Sequence, residues 1–139
     1  MVQIIAGKMG KGKTKFLLEK ANLAVKECKG SIVYLDKNTK HMHALDNKIR
    51  LINVYDYPIR SYNAFIGFLC GIISQDYDLE YVFLDSFLKL AHLEGKEISS
   101  ELIELEQLGQ QYGVTLILSI SLDAQDLPEH AQSKVIVSL

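Results

Sequence analysis

Near the start of the chain the run Gly7-Lys8-Met9-Gly10-Lys11-Gly12-Lys13-Thr14 meets the spacing G-x-x-x-x-G-K-[ST], and each residue type has a chemical reason to stand where it does. Glycines permit a tight backbone path on which successive N–H groups face one concavity. A helix starting at that loop adds partial positive charge to it. Such a cradle holds phosphate oxygens, with Lys13 as a point charge for the β- and γ-phosphates and Thr14 offering its hydroxyl to Mg²⁺. Magnesium also calls for a carboxylate, usually acting through water. Tyr81-Val82-Phe83-Leu84-Asp85 supplies one: four apolar residues and an acid at the end of a strand, where ligands of open α/β sheets collect. Asp85 could also serve as a plain helix N-cap. Hydrolysis needs a further group to orient or deprotonate water. Ser86 follows Asp85, so no second acid stands there. Asp36, closing a second apolar run with Asn38 two residues on, is the best-placed alternative, and a turn-forming aspartate is its other reading.

The elements that must position these residues follow from periodicity. Val2 to Ala6 is a short apolar strand running into the glycines, and Lys13 to about Lys29 has near-helical spacing (Phe16, Leu17, Ala21, Leu23, Ala24, Cys28) with a stop at Gly30. Further strands are predicted at Ser31 to Leu35, Arg50 to Val54, Glu80 to Leu84, Val114 to Ile120 and Lys134 to Leu139. Helices are predicted at about Ser61 to Ser74 and from Glu97 to Tyr112, the latter amphipathic and ended by Gly113. Apolar strands alternating with helices imply one α/β domain over residues 1–139. It should have three layers: a mostly parallel sheet with helices on both faces.

In order and motif the chain resembles the RecA-like P-loop ATPase core over nearly its whole length. The phosphate loop and the run Val82-Phe83-Leu84-Asp85-Ser86 carry the resemblance, with the strand Leu116-Ile117-Leu118-Ser119-Ile120-Ser121 behind them. It implies a three-layer P-loop fold, ATP with Mg²⁺ as ligands, Asp36 as the catalytic carboxylate, and Ser119 or Ser121 as a sensor of the γ-phosphate. The family usually has glutamate where Asp36 stands, so a slow or partner-stimulated ATPase is expected, its missing positive charge supplied by a neighbouring subunit or protein partner. The loop and Ser121-Leu122-Asp123-Ala124-Gln125-Asp126 are also similar to segments of thymidine kinases, but that family's zinc-binding cysteines are lacking. Lys8 stands five residues before Lys13, as does the lysine that crosses a dimer interface in the deviant ParA/MinD-type loop. Met9 replaces that loop's glycine, and a solvated loop lysine is the preferred reading.

Composition narrows the rest. Apolar residues make up 48% and charged residues 23%, with two prolines, which suits a packed domain rather than a disordered one. A net charge of −2 supplies no global footprint for nucleic acid or anionic membrane. Cys28 and Cys70 are far apart and read as reduced, buried or half-buried thiols, which suggests the cytoplasm. The most apolar stretch, Ala64 to Ile73, is half of what a bilayer requires and reads as a core helix. His41 and His43 lack supporting ligands and read as surface residues. Tyr55, Tyr57 and Tyr62 near Arg60 read as a turn packed at the sheet edge rather than a base-stacking platform. Three functions remain: a magnesium-dependent ATPase, a nucleotide-dependent switch without useful catalysis, and a small nucleoside or metabolite kinase.

Overall fold

The computed structural model describes all 139 residues. Six strands, β1 (Val2–Ala6), β2 (Ser31–Asp36), β3 (Ile49–Asn53), β4 (Leu79–Leu84), β5 (Thr115–Ile120) and β6 (Val135–Ser138), form one sheet in the order β3-β2-β4-β5-β1-β6. Every pairing is parallel, so the expectation of a mostly parallel sheet holds in its strict form. The helices are α1 (Lys13–Glu27), α2 (Tyr62–Ser74), α3 (Phe87–Leu90), α4 (Ser99–Tyr112) and α5 (Glu129–Gln132).

The period-two alternation of the strands sorts the core into two parts. Val33, Leu35, Val82, Leu84, Leu116 and Leu118 face one side, where α2 (Phe65, Leu69), α3 (Phe87, Leu90) and α4 (Leu102, Leu105) cover them. Ile5, Ile32, Tyr34, Phe83 and Ile117 face the other side, and α1 is the helix that covers them, through Leu17, Ala21 and Ala24. Helices therefore lie on both faces, unequally.

Differences from the sequence reading are local. α1 ends at Glu27 because Cys28 is already extended, and β3 ends at Asn53 because Val54 begins a 3₁₀ turn into which the Asn53 side chain caps. The four-residue helices α3 and α5 were not expected, since one turn is too short to show a period. Cys28 is half-buried as expected, whereas Cys70 is exposed: α2 turns it outward while Phe65, Leu69, Ile72 and Ile73 go in.

Parallel register brings the strand ends that matter to one edge. Ala6 pairs with Ile120, Leu84 with Leu118, and Leu35 with Leu84. Because β5 lies between β1 and β4, Ser119 stands between the glycine loop and Asp85. β2 lies on the far side of β4 and delivers Asp36 and Lys37 to the same edge.

Candidate functional site

The glycine loop joins β1 to α1. Gly10 (φ 86°) and Gly12 (φ 87°) both sit in the left-handed region, where a side chain would be strained, and Gly12 is the N-cap of α1. No side chain caps that helix, and no acidic residue occupies its first turn. Its leading N–H groups and the positive end of its dipole are thus left for an anion. Lys11 N–H closes the loop by donating to the Lys8 carbonyl at 3.3 Å.

Lys13 is buried, 8% exposed, and its Nζ donates to the Lys8 carbonyl at 3.1 Å. The chain has two ion pairs, Lys8–Asp123 at 3.6 Å and Lys134–Glu106 at 2.9 Å, so no carboxylate neutralises Lys13 by contact. Burial lowers its pKa, the charge of Asp85 opposes that shift, and the nearby Lys37 adds to it. A buried ammonium resting on a neutral carbonyl has every electrostatic reason to turn to a phosphate.

Asp85 is the centre of the polar network. Its Oδ1 accepts from Thr14 Oγ1 at 3.2 Å and from Ser119 Oγ at 3.0 Å, and its Oδ2 accepts from the buried Tyr34 hydroxyl at 2.9 Å. The carboxylate is thereby oriented by β2, β5 and the start of α1 together. Burial, then the charge of Asp85, pushes the Tyr34 phenol pKa far upward, so this hydroxyl stays a donor. Ser86 next to it is a non-glycine residue in the left-handed region (φ 58°), conformational strain of the kind that collects at functional sites. Its N–H donates to Ser119 Oγ at 2.7 Å, and its own Oγ accepts from Lys37 Nζ at 3.1 Å.

With Tyr34 buried behind them, Asp85, Ser86, Ser119, Lys37, Lys13 and Thr14 line a cavity of about 410 Å³. Of the residues singled out from the sequence, the structure brings Met9, Gly10, Gly12, Lys13, Thr14, Asp85, Ser119 and Ser121 together on its wall; Gly7, Lys8, Lys11 and Asp36 do not line it. Asp36 is 3% exposed. Its Oδ1 accepts from Lys37 N–H at 2.7 Å, and its Oδ2 is buried without a partner. Burial raises its pKa, and the Asp85 charge adds to that. Sequence reasoning missed Lys37, Lys89 and Glu94, which also line the cavity. Glu94 lies in the turn between α3 and α4, where no periodicity or motif marks it. Lys37 is adjacent to a residue that was singled out, and only the β2–β4 register reveals what it faces.

The donor set suits magnesium. No cluster of three His, Cys, Asp or Glu exists in the chain, His41 and His43 included. A cation at Thr14 and Asp85 would complete its shell with water and phosphate oxygens, which is how Mg²⁺ is ordinarily held. No helix is long and apolar enough to cross a membrane.

No protein-family model matches the chain, and no curated protein matches it. Solved structures do. The flagellar accessory protein FlaH from Methanocaldococcus jannaschii superposes with a TM-score of 0.58 at 17% sequence identity, over 95% of this chain and 65% of that one. The fold is RecA-like. This chain therefore spans just under two thirds of the FlaH chain, and the likeness speaks for the RecA-like architecture, not for a shared activity.

Proposed function

We propose that this chain binds ATP with Mg²⁺ in the cavity at the end of α1, and that it hydrolyses the nucleotide slowly or on contact with a protein partner or a second copy of itself. The observation that carries the reading is the meeting of Thr14 and Asp85, 71 residues apart, at 3.2 Å beside the unpaired Lys13 ammonium and an uncapped helix N-terminus. Bound Mg²⁺ would draw charge from the β- and γ-phosphates. Lys13 neutralises the phosphates, the loop N–H groups fix their position, and Tyr34 and Ser119 keep Asp85 turned toward the cation. Ser119 and Ser121 stand on the same wall, within reach of a terminal phosphate. The reduced cysteines and the absence of an apolar span fit a cytoplasmic setting, which is part of this proposal.

Two carboxylates compete to handle the attacking water. Asp36 holds the place the RecA-like resemblance assigns to it, while Glu94 is the carboxylate other than Asp85 on the cavity wall. Phosphate release by Asp36→Asn and Glu94→Gln decides between them: the catalytic one loses turnover while ATP affinity stays within a few-fold. The buried, off-wall position of Asp36 also favours the second reading, a switch that binds ATP and does not turn it over. Calorimetric titration of ATP and Mg²⁺ into the parent and Lys13→Ala tests the binding site itself. A charge-assisted contact contributes about 1.5–3 kcal/mol, so Lys13→Ala should bind roughly 10- to 150-fold more weakly. Equal binding by both proteins overturns the assignment.

A further inference from the structure

Lys37 is one of three lysines on the cavity wall, with Lys13 and Lys89, and no carboxylate pairs with it. It follows the last residue of β2, and its backbone is held by its N–H bond to Asp36 Oδ1 at 2.7 Å. Its stem is half-buried, and its ammonium leans over the end of β4 to donate to Ser86 Oγ at 3.1 Å. A hydroxyl is a neutral acceptor, and neither ion pair of the chain includes Lys37. An ammonium lining a cavity gains more from an anion than from a hydroxyl, because the attraction of opposite charges adds to the hydrogen bond. Its field already reaches Lys13, whose proton it helps to loosen.

The sheet order says which part of a ligand it would meet. From the glycine loop on β1 the edge runs through β5, with Ser119, to β4, with Asp85 and Ser86, and then to β2. Lys13 and Thr14 stand on the near side of Asp85 and Lys37 on the far side. With Mg²⁺ held by Thr14 and Asp85 between the phosphates and the carboxylate, the group reaching past Asp85 toward Ser86 would be the terminal phosphate. A diphosphate stops short of it.

We propose that Lys37 is a second cation for the terminal phosphate of a bound nucleoside triphosphate, supplied by the chain itself, by which the site distinguishes triphosphate from diphosphate. This rests on the triphosphate site described above. It also assigns within the chain a positive charge that would otherwise be sought from a neighbouring subunit. Replacing the Ser86 hydroxyl with a phosphate oxygen frees that hydroxyl, while the Ser86 backbone stays held by Ser119 Oγ and by the N–H groups of Lys89 and Leu90.

The test is calorimetric, in magnesium, with a non-hydrolysable ATP analogue and with ADP, on the parent, Lys37→Met and Lys37→Arg. Methionine keeps the length and apolar stem without the charge; Lys37→Gln carries the same expectation should methionine disturb the packing. Lys37→Met should lose about tenfold or more in affinity for the analogue, with ADP affinity within about threefold, and Lys37→Arg should keep most of the difference. A Lys37→Met protein that still prefers the analogue as the parent does overturns the proposal, and so does an equal loss for both nucleotides. A parent that binds neither nucleotide overturns the site itself, which is a separate result.

Discussion

Replacing Tyr34 by phenylalanine removes one oxygen from the middle of the sheet and leaves the ring. That hydroxyl is fully buried and donates at 2.9 Å to Oδ2 of Asp85, whose other oxygen is engaged by Thr14 and Ser119. The stacking of Tyr34 on Phe83, with 6.1 Å between ring centroids, persists in the variant. The whole change thus falls on a carboxylate oxygen that loses its donor where bulk water does not reach. Hydrogen bonds to charged groups contribute about 1.5–3 kcal/mol net, and a low local dielectric moves the figure toward the upper end. Divided by a urea dependence of roughly 2 kcal/mol per molar, that is a fall of about 1 M in the unfolding midpoint. Equilibrium unfolding at pH 7, followed by far-ultraviolet dichroism, measures it. The double variant with Asp85→Asn should cost less than the two single changes added together, because the two side chains share one bond. An unchanged midpoint for Tyr34→Phe would refute the reasoning, showing that Asp85 is held without its tyrosine.

Asp85→Asn alone should reduce the benefit of Mg²⁺ for ATP binding more than it reduces metal-free binding, since the amide keeps the shape and loses the charge; calorimetry with and without the metal decides, and equal losses would remove Asp85 from the site. Asp36→Asn has a signature in stability as well as in turnover. Burial holds the folded-state pKa of Asp36 above its ordinary 3.8, so the stability it lends is complete below that value and is lost as pH rises through the folded one. The asparagine variant should therefore melt a few degrees above the parent at pH 7, for about 1–2 kcal/mol, and the difference should close by about pH 3. A variant that melts lower at pH 7 would mean that the buried carboxylate is stabilising as an ion.

The loop, its strand and Asp85 were legible in the sequence because each rests on a local rule: glycine spacing, an apolar run, an acid at a strand end. The sheet was legible for the same reason, since Val2–Ala6 and Thr115–Ile120 are too apolar to be anything but buried strands. Lys37, Glu94 and the Tyr34 bond were not legible, because they depend on which strands become neighbours. Strand order is set by three-dimensional packing, and nothing local in Ser31–Asp36 says that it lies beside Leu79–Leu84. Ser119 is the intermediate case: the RecA-like resemblance named it, with Ser121, as a candidate phosphate sensor, while its double role, donating to Asp85 and accepting from Ser86, required the fold.

One helix shields the sheet face formed by Ile5, Ile32, Tyr34, Phe83 and Ile117, and it is the same helix whose first turn borders the cavity of Lys13 and Asp85. The two ends of α1 are mechanically one body, so a ligand that steadies its N-terminus also suppresses the opening motions that would let solvent reach that whole face. Amide hydrogens of α1, and of β2 beneath it, should then exchange with solvent more slowly when the cavity is filled, in proportion to ligand concentration over its dissociation constant. On the opposite face α3 also starts at the cavity, at Ser86, but the area closed by α2 and α4, which begin away from it, should keep its own rate. Occupancy of a small polar cavity is in this way converted into the stiffness of a large apolar surface on one side of the molecule.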